Sequence, residues 1–253
     1  MKNLMIYINP ERMFKEECRY NYDQMIKVQI DNSLDLNWKK EDILLVTNFH
    51  YEYNGVKSLV VSDDLFCDFD MTSTKVPVIK FLFDSGIIGD ELYWYHDLDA
   101  YQNQVIEENE LDVFHLGLTT YGYKIAWNCG CLYFKKPAED TFNVWHSEVF
   151  RKRFRNRCDE KVLLSLTSND HINQYKTLNH TYNFNFKYTY VSYESAIKPL
   201  KVLHFHPMEF PRGANNKLLD HTNLDVFMYG KNLTKLPFMS ERLIRIFHDH
   251  NIR

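Results

Sequence analysis

The chain has 253 residues, 45% hydrophobic and 25% charged, which suits a soluble globular protein with one α/β core. A formal charge of −4 argues against a generally basic nucleic-acid coat, and no stretch approaches the roughly 20 apolar residues of a membrane span. Five scattered cysteines fit a reducing, cytoplasmic setting better than a disulfide framework.

The chain opens with an apolar run, residues 4–8, ended by Asn9-Pro10; without a small-residue cleavage site it reads as a first strand. Residues 16–36 carry Tyr22, Met25, Ile26 and Ile30 at helical spacing, and residues 42–48 and 56–62 are strand-like. Thr72-Ser73-Thr74 offers an N-cap for a helix running to about Phe83, with Pro77 tolerated near the first turn and Ser85-Gly86 as a stop. A further strand, residues 92–95, runs into His96-Asp97-Leu98-Asp99. This order predicts an α/β domain with a mainly parallel central sheet flanked by helices.

Strand signals continue at 113–118, 125–127 and 131–134, followed by a helix opened by Pro137 that carries Phe142, Trp145 and Val149. A helix starts at Asp159, a last strand spans 201–206, and Leu243, Ile244 and Phe247 mark a C-terminal helix. No linker, repeat or low-complexity tract divides the chain. The expectation is a single domain over 1–253, with its core at about 1–207 and a helical C-terminal extension at about 208–253.

In an extended segment residues i and i+2 share a face, so Asp97 and Asp99 would project together while Leu98 turns to the core. Two carboxylates at the end of a buried strand repel one another and lose hydration unless positive charge sits between them. A hard divalent cation fits, since Mg²⁺ or Mn²⁺ takes one or two carboxylates plus phosphate oxygens and water. Solvated loop acids would show the same spacing.

At this point the chain resembles the GT-A glycosyltransferases, particularly the small galactosyltransferase and glycogenin-like families. The marks are the N-terminal strand ending in a polar turn, Tyr95-His96-Asp97-Leu98-Asp99, Asn128-Cys129-Gly130-Cys131, Asp159-Glu160 and Val202-Leu203-His204-Phe205. They stand in the family's order over about 1–207. The resemblance implies a hexosyltransferase-like enzyme that moves sugar from a nucleoside diphosphate donor, UDP-linked in this group, to a glycan or other hydroxyl. It implies Asp99 and His204 as ligands of Mn²⁺ or Mg²⁺, with Asp97 sharing the metal and holding the ribose. Ile8 and Asn9 would lie at the nucleotide, and Asn128 on the acceptor side. Asp159 would bind donor-sugar hydroxyls, and Glu160 would face the anomeric carbon or acceptor hydroxyl.

Some departures and alternatives stand beside this reading. His206 lies two residues after His204 and competes as the ligand, and the loop after it offers only Arg212 or Lys217 to phosphate. Lys75 or Lys80 could reach phosphate or sugar, against the plainer reading of solvated helix lysines. The basic run 151–157 suits a helix C-terminus, or an anionic acceptor such as nucleic acid, as in a DNA-modifying glycosyltransferase. A metal-dependent nucleotidyltransferase and a non-catalytic nucleotide-sugar binder are the other classes; the first would want a Gly-rich basic loop that Asn9-Pro10-Glu11-Arg12 lacks.

Overall fold

The N-terminal apolar run forms strand β1 (Lys2–Tyr7), which pairs in parallel with β2 (Ile43–Thr47) on one side and β5 (Tyr93–His96) on the other. β4 (Val56–Val60) extends the parallel block beyond β2, and β3 (Glu52–Tyr53) closes that edge as an antiparallel hairpin partner. On the far side of β5 the direction reverses. β8 (Trp127–Phe134) pairs antiparallel with both β5 and β7 (Leu116–Thr120), and β9 (Tyr175–Thr177) adds to β7 in parallel. The result is a mixed eight-stranded sheet in the order β3-β4-β2-β1-β5-β8-β7-β9. The computed structural model describes residues 1–10, 22–122, 126–153, 158–185, 193–205 and 238–252.

Helix α1 (Tyr22–Asp35) lies on one face of this sheet, where Met25, Ile26 and Ile30 pack against Met5, Ile43 and Leu45. On the other face α2 (Lys75–Asp84), α4 (Glu139–Lys152) and α5 (Asp159–Ser168) cover a core that includes Leu4, Val46, Leu132 and Phe142. The short α3 (Glu108–Leu111) connects toward β7. The start of α2 refines the sequence expectation. Thr74 stands at the N-cap position of α2 but caps it with no side-chain hydrogen bond, because Thr72-Ser73-Thr74 form a preceding 3-10 turn. That turn is capped by Asp70, whose carboxylate accepts from the Thr72 backbone N–H at 3.2 Å and the Ser73 hydroxyl at 2.7 Å.

β8 departs as well. Residues 125–134 read as two strands broken at Asn-Cys-Gly, yet β8 is one eight-residue strand, buried along its whole length between β5 and β7. Pairing on both sides overrides the poor strand propensity of Asn and Gly.

A small second sheet sets up the site. β6 (Ala100–Gln102) follows β5 after three residues and pairs antiparallel with β11 (Val202–His204), which in turn pairs in parallel with β10 (Phe184–Asn185). The C-terminal helix α6 (Glu241–Asp249), capped by the Ser240 hydroxyl, buries Leu243, Ile246 and Phe247 against Tyr101 and Phe205. Arg242 on this helix donates to the Asn32 side chain and the Gln102 carbonyl, tying α6 to α1 and β6. Among the described residues no helix is long and apolar enough to cross a membrane.

Candidate metal and donor site

The site falls where the chain leaves the large sheet at the end of β5 and enters the small one at β6. Asp97 and Asp99 are not extended there. They occupy a tight turn closed by the Ala100 N–H on the Asp97 carbonyl at 3.0 Å, while the Asp97 N–H donates to Gly130 at 2.8 Å. The turn brings the two carboxylates together by curvature rather than by strand alternation, and Leu98 is buried as expected. Gln29, itself 1% exposed, reaches from α1 and donates to the carbonyls of Leu98 at 2.9 Å and Ala100 at 3.0 Å.

Register supplies the third member. His204 pairs with Ala100 in the β11–β6 ladder, and the Phe205 N–H donates to the Asp99 carbonyl at 2.9 Å. The His204 ring is thereby delivered beside Asp99, with Nε2 at 3.2 Å from Oδ1. Ligand atoms of Asp97, Asp99 and His204 lie within 4.8 Å of one another, so the cluster could hold a metal ion. Two hard oxygens and one imidazole nitrogen form a donor set acceptable to Mn²⁺ and Mg²⁺. Burial works against a charge on His204, but the Asp99 carboxylate outweighs it and holds the ring above the usual histidine pKa. The cluster therefore recruits positive charge.

Gly130 makes this approach possible. A Cβ placed there would sit 1.9 Å from Cε1 of His204. The Asn-Cys-Gly segment that looked like a strand break is the groove in β8 that admits the imidazole.

Lys75 is not a solvated helix lysine. It is 6% exposed, donates to Asp159 Oδ2 at 2.9 Å, and lies 3.7 Å from Asp97 Oδ1 and 5.7 Å from the centre of the Tyr95 ring. Burial opposes its charge, yet Asp159 and then Asp97 hold the ammonium well above the usual lysine range. Lys80, one turn on, pairs with Asp84 at the surface at 2.5 Å. The Tyr95 hydroxyl donates to Asp97 at 2.5 Å, so Asp97 is held from two directions.

Asp159 and Glu160 open α5 but have different surroundings. Asp159 is 1% exposed; its N–H donates to the Ser73 hydroxyl and its carbonyl accepts from the Trp145 indole. Glu160 is only partly buried, and Oε1 accepts from the Tyr121 hydroxyl at 2.7 Å and the Cys129 N–H at 3.1 Å. Its other oxygen has no hydrogen-bond partner among the described residues. Burial, and then the neighbouring Asp159 charge, push the Glu160 carboxyl above the ordinary glutamate range. Burial likewise raises the Cys129 thiol, which keeps that sulfur protonated.

The remaining expected residues fall partly within and partly outside the described residues. The Ile8 side chain is buried in the main core with Val46 and Val61. The Asn9 backbone is clamped by Asn48, whose amide accepts from the Asn9 N–H at 2.8 Å and donates to its carbonyl at 2.5 Å. Asn128 is buried in β8 and accepts from the Gly130 N–H at 3.1 Å. His206, Arg212, Lys217 and residues 154–157 of the basic run lie outside the described residues. Sequence reasoning missed Gln29, Asn48, Tyr121 and Asn183. Only Gln29 carried a usable signal, as a polar residue on the apolar face of a helical pattern.

Comparison of the whole fold identifies its class. No protein-family model matches the sequence, and a search of curated proteins gave no match. Solved structures do match. The glycosyltransferase GlyE of Streptococcus pneumoniae TIGR4 aligns over 100% of this chain and 61% of its own, with a TM-score of 0.58 at 13% identity. The galactosyltransferase LgtC, solved with donor and acceptor sugar analogs, aligns over 98% of this chain and 96% of its own, with a TM-score of 0.58 at 12% identity. A glycosyltransferase involved in glycosylation of the PBCV-1 major capsid covers 83% of this chain and 95% of its own, with a TM-score of 0.54 at 10% identity. The chain thus has the GT-A glycosyltransferase fold and spans about 61% of the length of GlyE.

Proposed function

We propose that the protein is a metal-dependent glycosyltransferase that moves a hexose from a nucleoside diphosphate, UDP in our reading, to an acceptor hydroxyl. The observation that carries this is the convergence of Asp97, Asp99 and His204 at the switch from the large to the small sheet of a GT-A fold. Ligands of open α/β sheets bind beyond the carboxyl ends of strands at such switch points. Asp99 and His204 would hold Mn²⁺ or Mg²⁺, with Asp97 as the second carboxylate. When bound, the cation supplies Lewis-acid stabilisation of the departing nucleoside diphosphate.

The chain's own residues do the rest. Asn48 holds the Asn9 backbone at the end of β1, where the nucleoside would sit beside Ile8. Lys75 joins Asp159 to Asp97, so the carboxylate that would take sugar hydroxyls keeps a fixed distance from the metal turn. Tyr121 and the Cys129 N–H anchor one oxygen of Glu160, leaving the other for the anomeric carbon or the attacking hydroxyl. A carboxylate there acts as general base in an inverting enzyme, or stabilises the cationic sugar in a retaining one. Asn128, beside Gly130, would lie on the acceptor side.

The test is a screen of nucleoside diphosphate sugars by nucleotide release, with and without Mn²⁺, followed by mass analysis of glycan and DNA acceptors. Metal-dependent release from a UDP-sugar is expected. Isothermal titration separates an enzyme from a binder: tight metal-dependent binding with neither hydrolysis nor transfer would replace the enzyme by a non-catalytic protein.

A further inference from the structure

His204 is held by a second buried side chain. Asn183, 1% exposed and just ahead of β10, places its Oδ1 2.9 Å from His204 Nδ1. Which end of this amide faces the ring is settled by its other contacts. Nδ2 lies 2.9 Å from the Thr119 hydroxyl and 3.2 Å from the Asn128 carbonyl, and a carbonyl can only accept. The oxygen therefore faces Nδ1, and Nδ1 must carry a hydrogen to donate to it.

Two groups compete for the proton of the neutral ring. Asp99 Oδ1, 3.2 Å from Nε2, draws it to Nε2 and blocks the lone pair a cation needs. Asn183 Oδ1 draws it to Nδ1 and leaves Nε2 open. We propose that Asn183 is a positioning residue that fixes the Nδ1–H tautomer of His204 and so presents Nε2 to the cation. This rests on His204 being a metal ligand. Groups bonded to the far nitrogen of a ligating histidine set its tautomer and orientation, and losing them typically costs about 10–100-fold in metal affinity.

The experiment measures Mn²⁺ affinity of the full chain from the paramagnetic resonance signal of free Mn²⁺. The proteins are the wild type, Asn183→Leu, His204→Ala and the double variant. Asn183→Leu should bind Mn²⁺ about 10–100-fold more weakly, and should add nothing in the His204→Ala background. Nitrogen-15 spectra of the metal-free protein, at a pH where the ring is neutral, should show Nδ1–H in the wild type and a shift toward Nε2–H in Asn183→Leu. Asn183→Ala carries the same test should the leucine variant not fold. Weakened binding in His204→Ala beside undiminished binding in Asn183→Leu overturns the Asn183 role alone, as do additive losses or an unchanged tautomer. Undiminished binding in His204→Ala overturns the ligand role of His204, and this proposal with it.

Discussion

The two acidic pairs of this molecule are chemically alike and are treated in opposite ways. Asp97 and Asp99 sit in a turn, partly open to solvent, with an imidazole turned toward them and a lysine at 3.7 Å. Asp159 and Glu160 start a helix, where Asp159 is sealed against Lys75 and Glu160 leans on a hydroxyl and a backbone N–H. In the first pair the nearby lysine is shared with the buried Asp159, so two carboxylates converge with only part of their charge compensated within the fold, which is the condition for recruiting a cation from solution. In the second pair Asp159 is neutralised within the fold. Proximity of carboxylates does not distinguish the two places; the degree of internal compensation does.

Variants at Asp99 and at Lys75 test this contrast. Asp99→Ala has the largest expected effect: metal-dependent donor turnover should drop by about ten-thousandfold, ~5 kcal/mol in the barrier, with little change in thermal midpoint. Nucleotide release with Mn²⁺ measures it, and undiminished turnover removes Asp99 from the proposed metal site. Lys75→Met should do the reverse and act first on folding. It leaves the buried Asp159 carboxylate without its partner, at a cost of about 3–5 kcal/mol in chemical denaturation. Adding Asp159→Leu should recover much of that loss, because two apolar groups replace a buried pair. No recovery would mean that Lys75 stabilises through Asp97 instead.

Gly130→Ala lies between these extremes, because the added methyl collides with the His204 ring. About 1–3 kcal/mol of stability should be lost through overpacking, together with weaker Mn²⁺ binding as the ring is displaced. Wild-type affinity in this variant would show that the cation does not need His204 in its present place.

How far the sequence anticipated each region follows the range of the interactions involved. β1, β2, β4 and β5 were legible because each is a local apolar run, and the helices because Met25, Ile26 and Ile30, or Phe142, Trp145 and Val149, repeat at helical spacing. Asp97 and Asp99 were legible as a pair, although the turn that joins them was not. What brings His204 to Asp99 is the β11–β6 register, and what admits it is a glycine in β8 some 74 positions earlier. Neither leaves a trace in local spacing. The burial of Lys75 was not legible because its sealing partner Asp159 is 84 positions away, and Asn183 and Tyr121 stand outside any periodic element.

The smallest effect tests the second pair through its proton. Burial raises the Glu160 carboxyl, whereas the Tyr121 hydroxyl pulls the other way by stabilising the carboxylate. Tyr121→Phe removes that hydrogen bond, so the pKa of Glu160 should rise further. A reaction that needs Glu160 ionised then loses rate at low pH, and the acid limb of kcat/KM moves to higher pH, while the plateau above it changes little. The pH profiles of wild type and Tyr121→Phe measure this directly. An acid limb that stays in place would mean that it reports a different group, and Glu160 would lose its proposed role at the anomeric carbon or the acceptor hydroxyl.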